Sequence, residues 1–253
     1  MTGTIHIGTS GWAYAHWRGP FYPPDLPEWA LLEYYCRHFR CVEINSSFYH
    51  LPGEHAVERW RDTVPAGFLF AAKASRYITH MKKLKDPQQG VAAFLGRITR
   101  LGDKLGPILF QLPPRWRCNP ERLESLLEIL DPEHRYAFEF RDPSWINEEV
   151  LELLRRHGAA FCIFELAGYR SPLQVTTDLV YIRLHGPAGA YQGCYDQQSL
   201  EEWAERIIEW SMNGREVFCF FDNDEAGYAV ANARELQTLV ETNRRAEKPT
   251  HNG

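Results

Sequence analysis

Eight short runs of apolar and β-branched residues punctuate the chain, at 4–10 (TIHIGTS), 41–46 (CVEINS), 67–74 (GFLFAAKA), 106–112 (GPILFQL), 136–142 (YAFEFRD), 159–165 (AAFCIFE), 179–186 (LVYIRLHG) and 216–224 (EVFCFFDND). Between them lie stretches with helical spacing of apolar positions, at 28–39, 54–61, 88–104, 120–130, 147–157, 199–213 and 226–241. Strands alternating with helices predict a parallel sheet, and eight of them within about 240 residues predict an α/β fold of one domain, a TIM (β/α)8 barrel over residues 1–242. Asp86-Pro87 precedes one helix, and Ser199-x-x-Glu202 reads as a capping box opening another. Residues 166–178, containing Gly168 and Pro172, are too few for a crossover helix, so an irregular link is predicted between strands six and seven. The polar residues 243–253 read as a disordered tail.

Composition narrows the class. At 44% hydrophobic and 24% charged residues the chain is an ordinary globular protein, which excludes wholesale disorder. It shows no apolar run long enough for a membrane span and no secretory leader at its start, so a cytoplasmic location is expected, with no membrane partner. The net charge of −5 argues against a dedicated nucleic-acid binder, although Arg76, Lys82, Lys83, Lys85, Arg97, Arg115 and Arg117 leave room for a local basic rim. Six cysteines without a C-x-x-C pair read as reduced thiols.

Barrel active sites sit at the C-terminal ends of the strands, and strand faces alternate with period two. The runs end in Glu43 and Asn45, Lys73, Gln111, Glu139 and Arg141, Glu165, Arg183 and His185, and Asp222, Asn223 and Asp224. Buried charges are costly unless paired, so such a convergence fits a pocket. The alternative is a set of ion pairs closing the barrel mouth, Glu139 with Arg183 or Glu43 with Lys73. As a pocket, Arg141 and Arg183 would clamp an anion and Lys73 would serve as base or imine-forming nucleophile. Glu43, Glu139 and His185 would move protons, and Asn45, His80, Gln111, Asn223 and Asp224 would bind substrate. The expected ligand is a small anion, phosphorylated or sugar-like. Glu43, Glu139, His185 and Asp222 are also acceptable donors for a divalent metal, which would favour a phosphoesterase or nuclease of the kind that processes damaged DNA. His6 is expected in the barrel core, low down. The aromatic first loop, residues 11–29, reads mainly as a local core, with Trp12 and Tyr14 nearest the ligand. The loop GPAGAYQGCY (186–195) reads as a flap. Neither a G-x-G-x-x-G dinucleotide fingerprint nor a G-x-S-x-G elbow is present. A non-catalytic ligand-binding protein is the remaining alternative, and nothing in the pattern sets the oligomeric state.

The blocks GTSGWAYAHWRGPFYP, FRCVEINSSFYHLP, FAAKASRYITHMKKL, KLGPILFQLPP, YAFEFRDPSW, VYIRLHGP and FFDNDEAGYAVANA resemble, in order, those of the YecE-like family, a domain of unknown function. The resemblance implies a TIM barrel, in agreement with the strand count, and implies no particular activity. Its blocks coincide with the polar strand ends, with Thr79 and Trp145 in addition. Two positions depart from the family pattern: Glu165 and Asp222 stand where Asp and Asn are usual.

Overall fold

The computed structural model describes residues 2–246. Eight long strands form in the order foreseen: β1 (Ile5–Thr9), β2 (Cys41–Ile44), β3 (Leu69–Lys73), β4 (Leu105–Leu112), β5 (Tyr136–Phe140), β6 (Ala160–Leu166), β8 (Leu179–Leu184) and β9 (Glu216–Phe221), with a two-residue β7 (Tyr169–Arg170) between. All neighbours among the eight are parallel, in the order β1-β9-β8-β6-β5-β4-β3-β2. The ring closes between β1 and β2 by a bridge of Ser10 to Glu43, with Gly11 N donating to Glu43 O at 2.8 Å. The chain is a single (β/α)8 barrel.

The strands are apolar on both faces because both are covered. Cys41, Ala71, Leu109, Ala137, Cys162, Tyr181, Phe218 and Phe220 fill the inside of the barrel. The opposite faces, including Val42, Phe70, Ile108, Phe138, Ile163 and Ile182, pack against the helices in a second cluster. His6 lies low in the barrel as expected, stacked on Phe218 at 4.3 Å and bonded to Glu216 at 2.7 Å.

The helices are α1 (Leu31–Tyr35), α2 (Ser46–Tyr49), α3 (Glu54–Thr63), α4 (Gln88–Ile98), α5 (Pro120–Leu127), α6 (Glu148–Arg156), α7 (Gln197–Met212) and α8 (Tyr228–Ala246). Helix α2 and a π-turn at Tyr77–Met81 were not legible as periodic segments. Helix α7 corrects the capping-box reading. It starts two residues before Ser199, and its cap is Asp196, whose carboxylate accepts from Ser199 N at 2.8 Å. Helix α8 runs to Ala246, past the expected start of the tail at 243; the rest of that tail, residues 247–253, lies outside the described residues.

No helix follows β6. The chain turns through Ala167 (φ 51°) and Gly168 (φ 78°), and β7 pairs back on β6 in antiparallel register, Glu165 opposite Arg170. Positive φ at both central residues is what a two-residue hairpin turn requires. Among the described residues no helix is long and apolar enough to cross a membrane.

Candidate active site

The inward face of every long strand except β6, which ends in Phe164, finishes in a polar side chain at one end of the barrel, and the centre of that layer is Arg183. Its guanidinium is fully buried. Nη2 donates to Glu43 Oε1 at 2.7 Å and Asp222 Oδ2 at 3.1 Å, and Nη1 donates to Glu139 Oε2 at 2.8 Å. Glu43 also accepts from Ser10 Oγ and Tyr181 OH, each at 2.7 Å. Glu139 accepts from Arg141 Nε as well. Burial alone would push the Glu139 carboxyl up, but the Arg141 and Arg183 guanidiniums hold it well below the usual carboxylate range. Asp222 is held low against its burial by His185 and Arg183.

This arrangement revises two expectations. Arg183 is consumed by three carboxylates and does not face a ligand, so it is no part of an anion clamp. Glu139, held ionised so firmly, is a poor proton acceptor. The ion-pair reading was correct for Glu139 with Arg183 but not for Glu43 with Lys73, which make no salt bridge. The four residues considered as metal ligands do converge, and the cation they converge on is the chain's own Arg183. Among the described residues no three His, Cys, Asp or Glu groups are arranged to hold a metal ion.

His185 is fully buried within the same network. Its Nε2 lies 2.7 Å from Arg141 Nη2 and 3.3 Å from Arg183 Nη1, and Nδ1 lies 3.0 Å from Asp222 Oδ2. A guanidinium can only donate, so Nε2 accepts and the proton sits on Nδ1, directed at Asp222. His185 therefore orients its neighbours from beneath the pocket.

Above this layer lies a cleft of about 540 Å³ lined by Phe48, Tyr49, Lys73, His80, Gln111, Phe140, Arg141, Phe164 and Tyr191. Lys73 closes β3. It is 7% exposed, its ammonium sits 4.4 Å from the Phe48 ring centre, and it makes no hydrogen bond or ion pair among the described residues. Burial, and then the Arg183 charge, lower its pKa to about 8. Burial and the charge of Lys73 lower His80 to about 4, so its imidazole is neutral near pH 7. Arg141 lies over Phe164, and its Nη1 makes no hydrogen bond among the described residues.

Two smaller clefts adjoin. One, of about 320 Å³, contains Tyr14, His16, Tyr191, Asp222 and Asp224. Asp224 accepts from Trp17 Nε1 at 2.6 Å and pairs with His16 at 3.0 Å; burial pushes its carboxyl up to about 6. The other, of about 450 Å³, contains Trp12, Tyr14, Asn45, Tyr49 and Trp60. Tyr14, Tyr49 and Tyr191 each border two of the three clefts. Trp17, Phe21 and Tyr22 form the local core expected of the first loop.

Lys73, His80, Gln111 and Arg141 thus share one cleft, with Glu43, Glu139, Arg183 and His185 packed below it. Trp12, Tyr14, Asn45 and Asp224 line the neighbouring clefts. Asn223 is in none of them: it is fully buried and its Nδ2 donates to Gly193 O and Asn232 Oδ1, each at 2.9 Å, so it anchors the 186–195 loop. Glu165 lies on the outer face, paired with Arg170 at 2.9 Å. Sequence reasoning missed Ser10 and Tyr181 as partners of Glu43, although Tyr181 shares the parity of Arg183. It also missed Phe164 beneath Arg141.

A family model described as "Protein of unknown function DUF72" matches residues 6–252. UPF0759 protein YunF of Bacillus subtilis is 28% identical over 94% of this chain and 95% of its own length. UPF0759 protein YecE of Escherichia coli is 32% identical over 56% of this chain and 50% of its own. Among solved structures, a DUF72 family protein of Thermotoga maritima is 30% identical with a TM-score of 0.85, covering 94% of this chain and 99% of that one. One from Enterococcus faecalis is 21% identical with a TM-score of 0.82, covering 94% and 96%. The match to nearly the whole chain, with the UPF0759 proteins YunF and YecE as relatives, bears out the resemblance carried by the seven sequence blocks: the chain belongs to the DUF72 family.

Proposed function

We propose that the protein is an enzyme acting on a small anionic substrate, phosphorylated or sugar-like in the broad reading, held in the 540 Å³ cleft. The observation that carries this is the pairing of Arg141 and Lys73 in one cleft. Arg141 has donors to spare, and Lys73 is an almost buried amine with no carboxylate partner. A structural lysine at such a place would be expected to carry a salt bridge, because burying the charge alone is costly. The fixed network of Arg183, Glu43, Glu139, Asp222 and His185 below holds Arg141 by its Nε and Nη2 edge, so that Nη1 is presented to the ligand. Arg141 supplies the anion contact and Lys73 the reacting amine.

A thermal-shift screen of phosphorylated and carboxylated metabolites tests this. Arg141→Ala should weaken binding of a stabilising anion by about 1.5 kcal/mol or more, roughly tenfold in Kd. An Arg141→Ala protein that binds the same anions as tightly as the parent would overturn the assignment.

A further inference from the structure

Two polar side chains in the cleft are nine-tenths buried and have no partner. Lys73 and Gln111 are each 7% exposed, both line the cleft, and neither side chain makes a hydrogen bond among the described residues. Their terminal atoms are open to the cleft and taken by no other side chain, so both stand ready for a ligand's own polar atoms. Their positions follow from the sheet. β3 pairs with β4 so that Lys73 stands opposite Leu109, and Gln111 is the next inward residue toward the mouth. The amine and the amide are therefore neighbours on adjacent strands, and Arg141, just past the end of β5 and two residues beyond the Glu139 that pairs with Gln111, lines the same cleft from the next strand.

From this placement, and resting on the anion-binding role of Arg141 proposed above, we infer that the substrate is an oxo acid whose carbonyl carbon condenses with the Lys73 amine, its carboxylate held by Arg141 and its carbonyl oxygen by the Gln111 amide. Three features favour a carboxylate with a carbonyl over a phosphate. A carboxylate can take the free Nη1 of Arg141 and leave Lys73 uncommitted, whereas a phosphate dianion would engage Lys73 as a counter-charge. Gln111 is a neutral amide, suited to a carbonyl oxygen and not to a second charge. Phe48, Phe140, Ile146, Phe164 and Leu166 provide apolar walls for a short carbon chain. The lowered pKa of Lys73 leaves part of it as free amine near neutral pH.

In the reaction the nitrogen lone pair attacks the carbonyl carbon and the C=O π pair moves to oxygen, which takes a proton. The C–O bond of the resulting carbinolamine then breaks as the nitrogen lone pair forms C=N. The two hydrogens of the amine leave with the oxygen as one water, and no oxidant or reductant is needed. His80 is placed to carry the proton. It lines the same cleft, and its imidazole, neutral near pH 7, has a free ring-nitrogen lone pair to take it.

The test is incubation of the full chain with pyruvate, and separately with propanal as a neutral carbonyl, in the presence of cyanoborohydride. Intact mass and peptide mapping follow, and the melting temperature is read with pyruvate alone. One reduced pyruvate adduct on Lys73 is expected. It should be absent from folded Lys73→Arg and at least tenfold slower to form in Arg141→Ala, while the propanal adduct at Lys73 forms at the parent rate in Arg141→Ala. Label scattered over surface lysines, or no adduct although pyruvate raises the melting temperature through Arg141, overturns the imine and leaves the anion reading standing. No adduct and no stabilisation by pyruvate or any other anion overturns both.

Discussion

Two cations of the same barrel mouth, Arg183 and Lys73, illustrate how burial and partners decide a residue's role. Arg183 is buried with three carboxylates around it, so removing it strands their charge in the barrel. Arg183→Leu should destabilise the protein by about 3–5 kcal/mol, measured by urea unfolding, which is the cost of breaking a buried pair from one side. Lys73 is the reverse case. Its pKa falls from 10.5 to about 8, which means the folded state disfavours its charge. Between those values the unfolded chain binds more protons, so stability rises with pH there; below pH 8 the full penalty, about 3 kcal/mol, is present. Lys73→Met should therefore raise the melting temperature at pH 7, and a fall would show that the amine serves the fold. The parity of the strands told in advance that both residues lie inside. It could not tell which was spent, because the carboxylates that pair with Arg183 come from the ends of three other strands and sequence separation carries no distance.

Elements were legible where they are self-contained and illegible where tertiary contacts make them. The long periodic segments became α3 to α8 because each has an apolar stripe to bury against the strands. Helix α2 has no such pattern; it is held by Ser47 Oγ, which donates locally to Ile44 O at 3.0 Å and to Lys73 O at 2.7 Å, the second a contact that exists only once β2 and β3 are side by side. Capping was legible in kind but not in register, since Asp196 and Ser199 both suit the cap position and only the backbone geometry chooses. The choice is testable: Asp196→Ala should lower the melting temperature, and Ser199→Ala should leave it nearly unchanged. At α6, Asn147 accepts from Val150 N at 3.0 Å, so Asn147→Ala should cost about 1 kcal/mol in chemical unfolding. The hairpin after β6 follows from the shortness of the link and from a glycine at a position with φ 78°. It also explains why Glu165, in a run that ends polar like the others, never reaches the pocket: the inward parity of β6 belongs to Cys162 and Phe164.

At the scale of the whole molecule, the charges at the mouth set the dependence of stability on pH, and they pull in opposite directions. Glu139 and Asp222 have lowered pKa values, so their contribution is present above their unfolded values and is lost as pH falls through the folded ones, in strong acid. Glu216, at the other end of the barrel and lowered from 4.5 to about 2, acts in the same sense. Asp224 is raised from 3.8 to about 6. Between those values the folded state binds more protons than the unfolded one, so its contribution declines as pH rises through that window. His80 is lowered from 6.5 to about 4, and over nearly the same window it makes stability rise with pH, because there the unfolded chain binds the extra proton. The two slopes oppose each other, and the parent protein should show a nearly level melting temperature between about pH 4 and 6. Single substitutions separate them. Asp224→Asn removes the falling component and should leave a melting temperature that climbs from pH 4 to 6. His80→Gln removes the rising one and should leave a temperature that drops. A level profile in both variants would mean that neither group is perturbed by the mouth, and the electrostatic picture of the clefts would fail with it. A climb in the first variant and a drop in the second would instead show that Asp224 and His80, in their separate clefts, titrate independently of one another.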